Sequence, residues 1–421
     1  MTWAARIPTL AGLRYPQASF VLDFASNYYR GSGAQGSSPS ALPGYNFTRA
    51  LAAYAEDTAG NLIQFASGVP RITNKGVLIE ESRTNLLLWS QEFDNAYWST
   101  AASAVVADQV VAPDGSLTAD KLNETASTAF HYVSSSEITI SSATVYTGSI
   151  YAKAGERSSI TLKLANGWAI EPTATFDLTT GTVSGVVNAT ATAVPVAGGW
   201  FRLALVGGVS TSTTGNLQVI LGSSTYAGTP GNGVYIWQAD LQAGSFITSP
   251  IPTTSTSATR PADVFYFASG TVPLQSAMTL VAQTGAVANT SAARWMFQTG
   301  ADTTNNRIGL AAALALTTLV PRYVQAGSGK SASDITGVLS AASDNTAAIA
   351  FSIGGNVRAA ANGLLSGTPG SDPTALPAPG NFNIGADNSG SFQFNGYIKR
   401  IVVYPFAASD AQLQSISSGN F

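Results

Sequence analysis

Residues 156–165 read ERSSITLKLA, and within them Ile160, Leu162 and Leu164 alternate with polar residues. Successive side chains of a β-strand point to opposite faces of a sheet, so this period of two places the three apolar side chains on one face. The same pattern returns in WFRLALVGG at 200–208 and in NLQVILG at 216–222. Repeated half-apolar strands of this kind predict antiparallel sheets that pack face to face.

Turn and helix signals fit the same architecture. FDLTTGTVSG at 176–185 predicts a strand, a tight turn and a second strand, with Gly181 free to adopt a positive φ. Strand patterns continue from about residue 264 to the end, where Ser409 precedes Leu413 and Ile416 in SDAQLQSIS and predicts a short capped helix. The sequence therefore predicts an all-β chain with two antiparallel β-sandwiches, or jelly rolls.

Composition narrows the function classes. Charged residues make up 10% of the 421 residues and the formal net charge is -3, so no basic surplus supports a nucleic-acid partner. The sequence contains no run of 18 apolar residues, so we expect no membrane insertion. Cysteine is absent, which excludes disulfides, thiolate nucleophiles and cysteine metal sites.

Loop-like stretches suggest the domain boundaries. Residues 31–44, GSGAQGSSPSALPG, interrupt an irregular beginning, and we expect residues 1–88 to form an N-terminal arm for attachment or assembly. The Pro/Thr/Ser-rich stretch SPIPTTSTSATRPAD at 249–263 predicts a linker, because its prolines remove ladder donors. The two sandwiches are then expected at 89–264 and 265–421.

Residues 46–98 resemble a segment of tailed-bacteriophage virion proteins. The recurring elements are FTRA at 47–50, PR at 70–71, GVLIEE at 76–81 and RTNLL at 83–87, followed by WSQEFDNAYW at 89–98. The region after it resembles a carbohydrate-binding-module jelly roll, on the likeness of VYTGSIYAKAG, FDLTTGTV, GGWFRLAL and VYIWQADLQAG. The C-terminal region resembles a laminin-G or concanavalin-A-like lectin domain, on AIAFSIGGNVRAAANG and FNIGADNSGSFQFNGYIKRIVVYP.

The resemblance implies a function and a set of partners. It implies a virion protein made in the host cytoplasm, as a tail-fibre or tail-tip component that presents lectin-like domains to host-surface glycans. The expected partners are other virion proteins and further copies of the chain, as a homotrimer. Two alternatives remain open: a capsid-decoration protein without a ligand, and a polysaccharide depolymerase.

Catalytic residues are hard to find. His131, in FHYVSS, is the only histidine, and we expect a partly exposed strand residue without an acid–base partner. No G-x-S-x-G elbow and no E-x-D-x-E carboxylate pattern occurs, so the sequence predicts no enzyme. No cofactor is expected, apart from a possible Ca²⁺.

Three residues are candidates for binding. Asp114 in APDGS and Asp387 in GADNSGS could each contribute to a calcium site, although aspartate in such contexts more often forms a turn. Trp168 in ANGWAIEP is the candidate sugar-stacking ring, because Gly167 before it suggests a loop. A core position for Trp168 is the alternative, and Trp200, Trp237 and Trp295 lie in strand-like runs and are expected in the core.

Overall fold

The computed structural model describes residues 15, 17–287, 293–313, 317–340 and 342–420. The chain divides into two compact units. The first sandwich comprises residues 49–71 and 82–262, and the second comprises the described residues up to 48, residues 72–81 and those from 263 onward. Each consists of antiparallel sheets, so the prediction of an all-β fold with two sandwiches is confirmed.

The elements are numbered in chain order over the described residues. The first strands are β1 (Phe20–Asp23), β2 (Tyr28–Gly31), β3 (Ala34–Gly36), β4 (Tyr45–Thr48), β5 (Ala53–Glu56), β6 (Leu62–Phe65), β7 (Arg71–Thr73), β8 (Gly76–Ile79) and β9 (Arg83–Asn85). They are followed by β10 (Trp98–Ala101), β11 (Ser103–Val110), β12 (Ala119–Glu124), β13 (Thr128–Ser135), β14 (Ile138–Thr139), β15 (Val145–Ala154), β16 (Ser159–Ala165), β17 (Thr173–Asp177), β18 (Val183–Val187), β19 (Ala189–Val196), β20 (Trp200–Val209), β21 (Thr214–Ala227), β22 (Gly233–Ala243) and β23 (Ala258–Arg260). The last are β24 (Val264–Phe267), β25 (Ala277–Val287), β26 (Arg294–Thr299), β27 (Arg307–Ala313), β28 (Thr318–Gln325), β29 (Ser328–Gly329), β30 (Asn345–Ser352), β31 (Val357–Ala361), β32 (Leu364–Leu365), β33 (Phe382–Ile384), β34 (Gly396–Tyr404) and the helix α1 (Asp410–Ser417). Short 3-10 turns lie at Pro39–Ala41 and Ala197–Gly199.

The first sandwich packs a seven-stranded sheet on a six-stranded sheet. Their strand orders are β10-β13-β21-β16-β17-β18, with β14 beside β21, and β11-β12-β22-β15-β20-β19. The alternating residues predicted from the sequence fill the core between them, with Ile160, Leu162 and Leu164 fully buried. Gly181 has φ of 75° in the turn after β17, which confirms the predicted turn.

The second sandwich packs a ten-stranded sheet on a seven-stranded sheet. The first has the order β3-β2-β1-β34-β25-β30-β31-β32, with β8 pairing β34 and β7, and the second has the order β29-β28-β27-β26-β33-β24-β4. The helix α1 is capped as predicted, because Ser409 and Gln412 form a capping box. Over the described residues, no helix combines the length and the apolar character needed to cross a membrane.

The expected N-terminal arm at 1–88 differs from what the structure shows. Strand β1 lies inside the ten-stranded sheet, where Phe20 pairs with Val403 and Asp23 pairs with Arg400. Residues 49–71 and 82–88 belong instead to the first sandwich. Short strands whose partners lie far away in sequence look irregular when only local patterns are considered. The part of the segment before Tyr15 lies outside the described residues.

The stretch at 249–263 is also more ordered than a linker. Ile251 is buried, its N–H donates to Asp240 Oδ1 at 3.0 Å, and its carbonyl accepts from Asn85 Nδ2 at 2.9 Å. Strand β23 pairs with β9 within the first sandwich. The chain passes to the second sandwich at Asp263, so the proline-rich run ends the first unit while packing against it.

Candidate functional site

An open groove crosses the outer face of the seven-stranded sheet of the first sandwich. Its volume is about 590 Å³. We call it the outer-face groove. It is lined by Phe130, Tyr132, Thr161, Lys163, Glu171, Thr173, Gln218, Ile220 and Ser223.

The alternation along β13 places two aromatic rings in this groove. His131 and Val133 point inward and are fully buried, so Phe130 and Tyr132 share the opposite face. Phe130 is 44% exposed, so a large part of its ring is open to solvent. The strand therefore presents a flat apolar surface to solvent.

Pairing across the sheet sets polar side chains beside these rings. In one row, Tyr132 pairs with Ile220, and Ile220 pairs with Thr161. In the next row, Gln218 pairs with Lys163. Residues that pair directly lie side by side on the same face, so the groove floor is a patch of rings, hydroxyls and an amide.

Several polar groups of the groove have no protein partner in the described part of the chain. These are the hydroxyls of Tyr132 and Ser223 and the side-chain amide of Gln218, which all line the groove. Thr161 differs, because its hydroxyl donates to the Gly222 carbonyl at 2.6 Å. The unpaired groups are available to exchange water for the hydroxyls of a ligand.

One ion pair lies at the groove. Lys163 Nζ binds the Glu171 carboxylate, and Glu171 Oε1 also accepts from the Asn166 N–H at 3.0 Å. Burial alone would raise the pKa of the Glu171 carboxyl, but the hydrogen bonds from Lys163 and the Asn166 N–H outweigh burial and lower that pKa below its usual value. The Glu171 side chain is therefore a carboxylate at neutral pH.

These features together favour binding of a polyhydroxylated ligand. An exposed ring offers a surface for the C–H face of a pyranose, and nearby polar groups fix its orientation. A glycosidase needs two carboxyl groups flanking the bond that breaks. Glu171 is the one carboxylate among the lining residues of the groove, so the described groove does not itself supply such a pair.

Trp168, the ring singled out from the sequence, is 5% exposed. Its indole N–H donates to the Gly208 carbonyl at 2.8 Å, and its ring packs edge-on against Tyr146. Trp168 belongs to the core of the first sandwich, so it has no open face on which a sugar could stack. From the sequence, Gly167 suggests a loop with an exposed ring, but the glycine is required by close packing. A Cβ at this position would lie 2.7 Å from the Ile140 side chain.

The two candidate calcium residues form turns. Asp114 Oδ1 accepts from the Ser116 N–H at 3.0 Å, and Asp387 Oδ1 accepts from the Ser389 and Ser391 N–H groups, each at 2.9 Å. Among the described residues, no group of three or more His, Cys, Asp or Glu side chains is placed to hold a metal ion. A calcium site built on Asp114 or Asp387 stays a prediction.

His131 lies in β13 as expected, but it is fully buried rather than partly exposed. Its Nδ1 faces the Ala102 carbonyl, and its Nε2 lies 3.2 Å from the Tyr226 carbonyl. A Cβ on Gly228 would come within 2.7 Å of the imidazole, so glycine there makes room for the ring. These contacts give His131 a place in the packing of the strand.

Sequence reasoning missed Phe130 and Tyr132. The signal was present in TAFHYVSS, where aromatic residues two apart share one face of a strand. Which face would be open could not be read from this stretch, because Phe130 and His131 are both plausible core residues.

Comparisons with known proteins give only remote similarities to solved structures. No protein-family model matches the chain, and a search of the curated proteins also gives no match. Among solved structures, the chain is similar to the CBM40 module of the Ruminococcus gnavus IT-sialidase bound to α2,3-sialyllactose, with 18% identity, 34% of this chain and 83% of that chain covered, and a TM-score of 0.29. A Trypanosoma rangeli sialidase matches with 10% identity over 75% of this chain and 62% of that chain, at a TM-score of 0.29.

The mouse laminin α1 domains LG4-5 match with 10% identity over 78% of this chain and 88% of that chain, at a TM-score of 0.21. A carbohydrate-binding module and laminin-G domains are thus among the structural neighbours, the two domain types that the sequence resembles. At such TM-scores the likeness carries no argument, and conclusions about the groove rest on the chain's own residues.

Proposed function

We propose that this chain is a structural component of a tailed-phage particle and that it binds host-surface glycans in the outer-face groove. The observation that carries the binding proposal is the exposed ring of Phe130 beside the unpaired polar groups of Tyr132, Gln218 and Ser223. Carbohydrate-binding sites usually combine aromatic rings with a few convergent polar groups.

The virion context is supported by the sequence elements between residues 47 and 98, which resemble phage structural proteins. On that basis the chain is a fibre or tail-tip protein, made in the host cytoplasm and assembled as a homotrimer with other virion proteins. Identical chains on a symmetric particle generally form closed oligomers. Light scattering on the purified chain tests the trimer, and a monomer at micromolar concentration contradicts it.

The glycan proposal is tested with the full chain on an array of bacterial surface glycans. Phe130→Ala should weaken binding about ten-fold, since an aromatic contact contributes roughly 0.5–1.5 kcal/mol beyond its buried area and about 1.4 kcal/mol is a factor of ten. Phe392→Ala is the matched control, because Phe392 is a similarly exposed phenylalanine of the second sandwich.

The outcomes separate the competing functions. Loss of binding in Phe130→Ala but not in Phe392→Ala supports the groove. Equal loss in both variants, or none in either, contradicts it. An array without any bound glycan favours the architectural, capsid-decoration role, and release of reducing ends from host polysaccharide would show a depolymerase.

A further inference from the structure

The ion pair at the groove also bears on which glycans can enter. We infer that the Lys163–Glu171 pair restricts the outer-face groove to neutral glycans and disfavours glycans that carry carboxylates, such as uronic or sialic acids. This inference rests on the proposed function and names the ligand class of the same site.

The charges of the groove cancel. Lys163 and Glu171 are the charged residues among its lining residues, and they bind each other. A lysine alone would attract a sugar carboxylate. Here the ammonium group is already paired, so a second carboxylate would have to approach Glu171 as closely as it approaches Lys163.

Glu171 is held in place. The Asn166 N–H donates to its Oε1 at 3.0 Å, in addition to the contact with Lys163. The Lys163 and Glu171 side chains keep 29% and 34% of their surface exposed, so both charges face the ligand side of the sheet. A sugar carboxylate therefore cannot displace Glu171 without breaking a backbone hydrogen bond as well, and like charges that remain close repel each other.

The rest of the groove matches a neutral sugar. The hydroxyls of Tyr132 and Ser223 can both donate and accept, and the amide of Gln218 offers a donor and an acceptor. Sugar hydroxyls have the same dual character, whereas a carboxylate needs donors alone. The neutral floor and the balanced pair thus select for hydroxyl-rich, uncharged ligands.

The experiment compares neutral hexose polymers with a free C6 hydroxyl (amylose, β-1,4-mannan and β-1,4-galactan) with counterparts in which C6 has been oxidised to a carboxylate. The wild-type chain should bind at least one neutral polymer about ten-fold more tightly than its oxidised form. Glu171→Gln keeps an oxygen that can accept from the Asn166 N–H but leaves Lys163 uncompensated. This variant should gain about ten-fold for the oxidised polymer relative to the neutral polymer and lose that gain at high salt.

The double variant Lys163→Gln/Glu171→Gln is the control, because it removes both charges and should show no gain. The thermal midpoint of each variant confirms that it is folded. If wild type prefers the oxidised polymers and Phe130→Ala abolishes that binding, the charge inference fails while the groove remains a glycan site. If wild type binds neither class of polymer, and the glycan array is also empty, the proposed function fails with it.

Discussion

The two sandwiches treat the outer faces of their sheets differently. In the first, β16 alternates between buried Leu162 and groove-lining Lys163, and the outer face stays open to solvent. In the second, seven of the eight residues of β30 are buried, and Ala348 and Ala350 belong to a separate apolar cluster with Leu413 of the terminal helix α1. The ten-stranded sheet of the second sandwich therefore has a covered outer face, whereas the seven-stranded sheet of the first has an exposed one that carries aromatic rings.

This difference shows that the apolar pattern of a strand indicates how many layers cover its sheet. A strand that is apolar on one face needs one covering layer, whereas a strand that is apolar on both faces needs two. The small side chains of Ala348 and Ala350 let the helix approach the second sandwich closely. A binding face has to be left uncovered, so an alternating strand with exposed rings is the better place to look for one.

The largest effect is expected in the interior of the first sandwich, behind the open face. Trp168→Ala should lower the free energy of unfolding by about 3–5 kcal/mol, because it leaves a cavity and an unpaired Gly208 carbonyl. Denaturant melts measure this. Trp168→Phe should retain most of the stability. If Trp168→Ala were as stable as wild type but had lost glycan binding, Trp168 would have to be a ligand contact and not a core residue.

The covered face of the second sandwich is probed by Leu413→Ala. Leu413 is fully buried between α1 and the sheet, so its truncation should cost about 2–5 kcal/mol. The control is Ala411→Ser, an exposed position on the same helix that leaves the cap residues Ser409 and Gln412 unchanged, and it should cost well under 1 kcal/mol. A Leu413→Ala chain as stable as wild type would mean that the helix does not close this face.

The smallest effect on stability is expected on the open face. Phe130→Ala should change the free energy of unfolding by about 0.5 kcal/mol or less, because the ring is 44% exposed. The same denaturant melts apply, with Leu413→Ala as the reference for a covered position. A loss comparable to that of Leu413→Ala would show that Phe130 is a structural residue and would weaken its assignment to the groove.

Local patterns predicted the strands and the helix well. The alternation around Ile160 and Leu162, the turn at Gly181 and the cap at Ser409 are decided by neighbouring residues, so they can be read from short stretches. The pairing of β1 with β34 could not be read in this way, because it joins distant segments. The open groove was missed for the same reason. Whether a sheet face is exposed depends on which other segments cover it, and the sequence of one strand does not show this.

Three buried arginines illustrate the same limit. Arg49 of FTRA, Arg71 of PR and Arg260 in the stretch 249–263 are each at most 2% exposed. Arg49 donates to the Ala66 carbonyl at 2.8 Å, and Arg71 and Arg260 each donate to Ser249 Oγ at 2.7 Å. These arginines therefore stabilise the first sandwich. A sequence resemblance that depends on them indicates a shared fold and does not indicate a shared ligand.

The pairing of β1 with β34 has a consequence for biosynthesis. Ser19 and Val403 are hydrogen-bonded across 384 residues of chain, so β1 leaves the ribosome long before its neighbour exists. At typical rates of about 5–20 residues per second, it waits roughly 20 to 80 s for β34. During that time β1 can pair with β2, but Phe20 and Leu22 lack their partners in β34, while the first sandwich, complete by residue 262, can already fold. Translation thus imposes an order of assembly in which the sandwich that contains the earliest strand is the last to close.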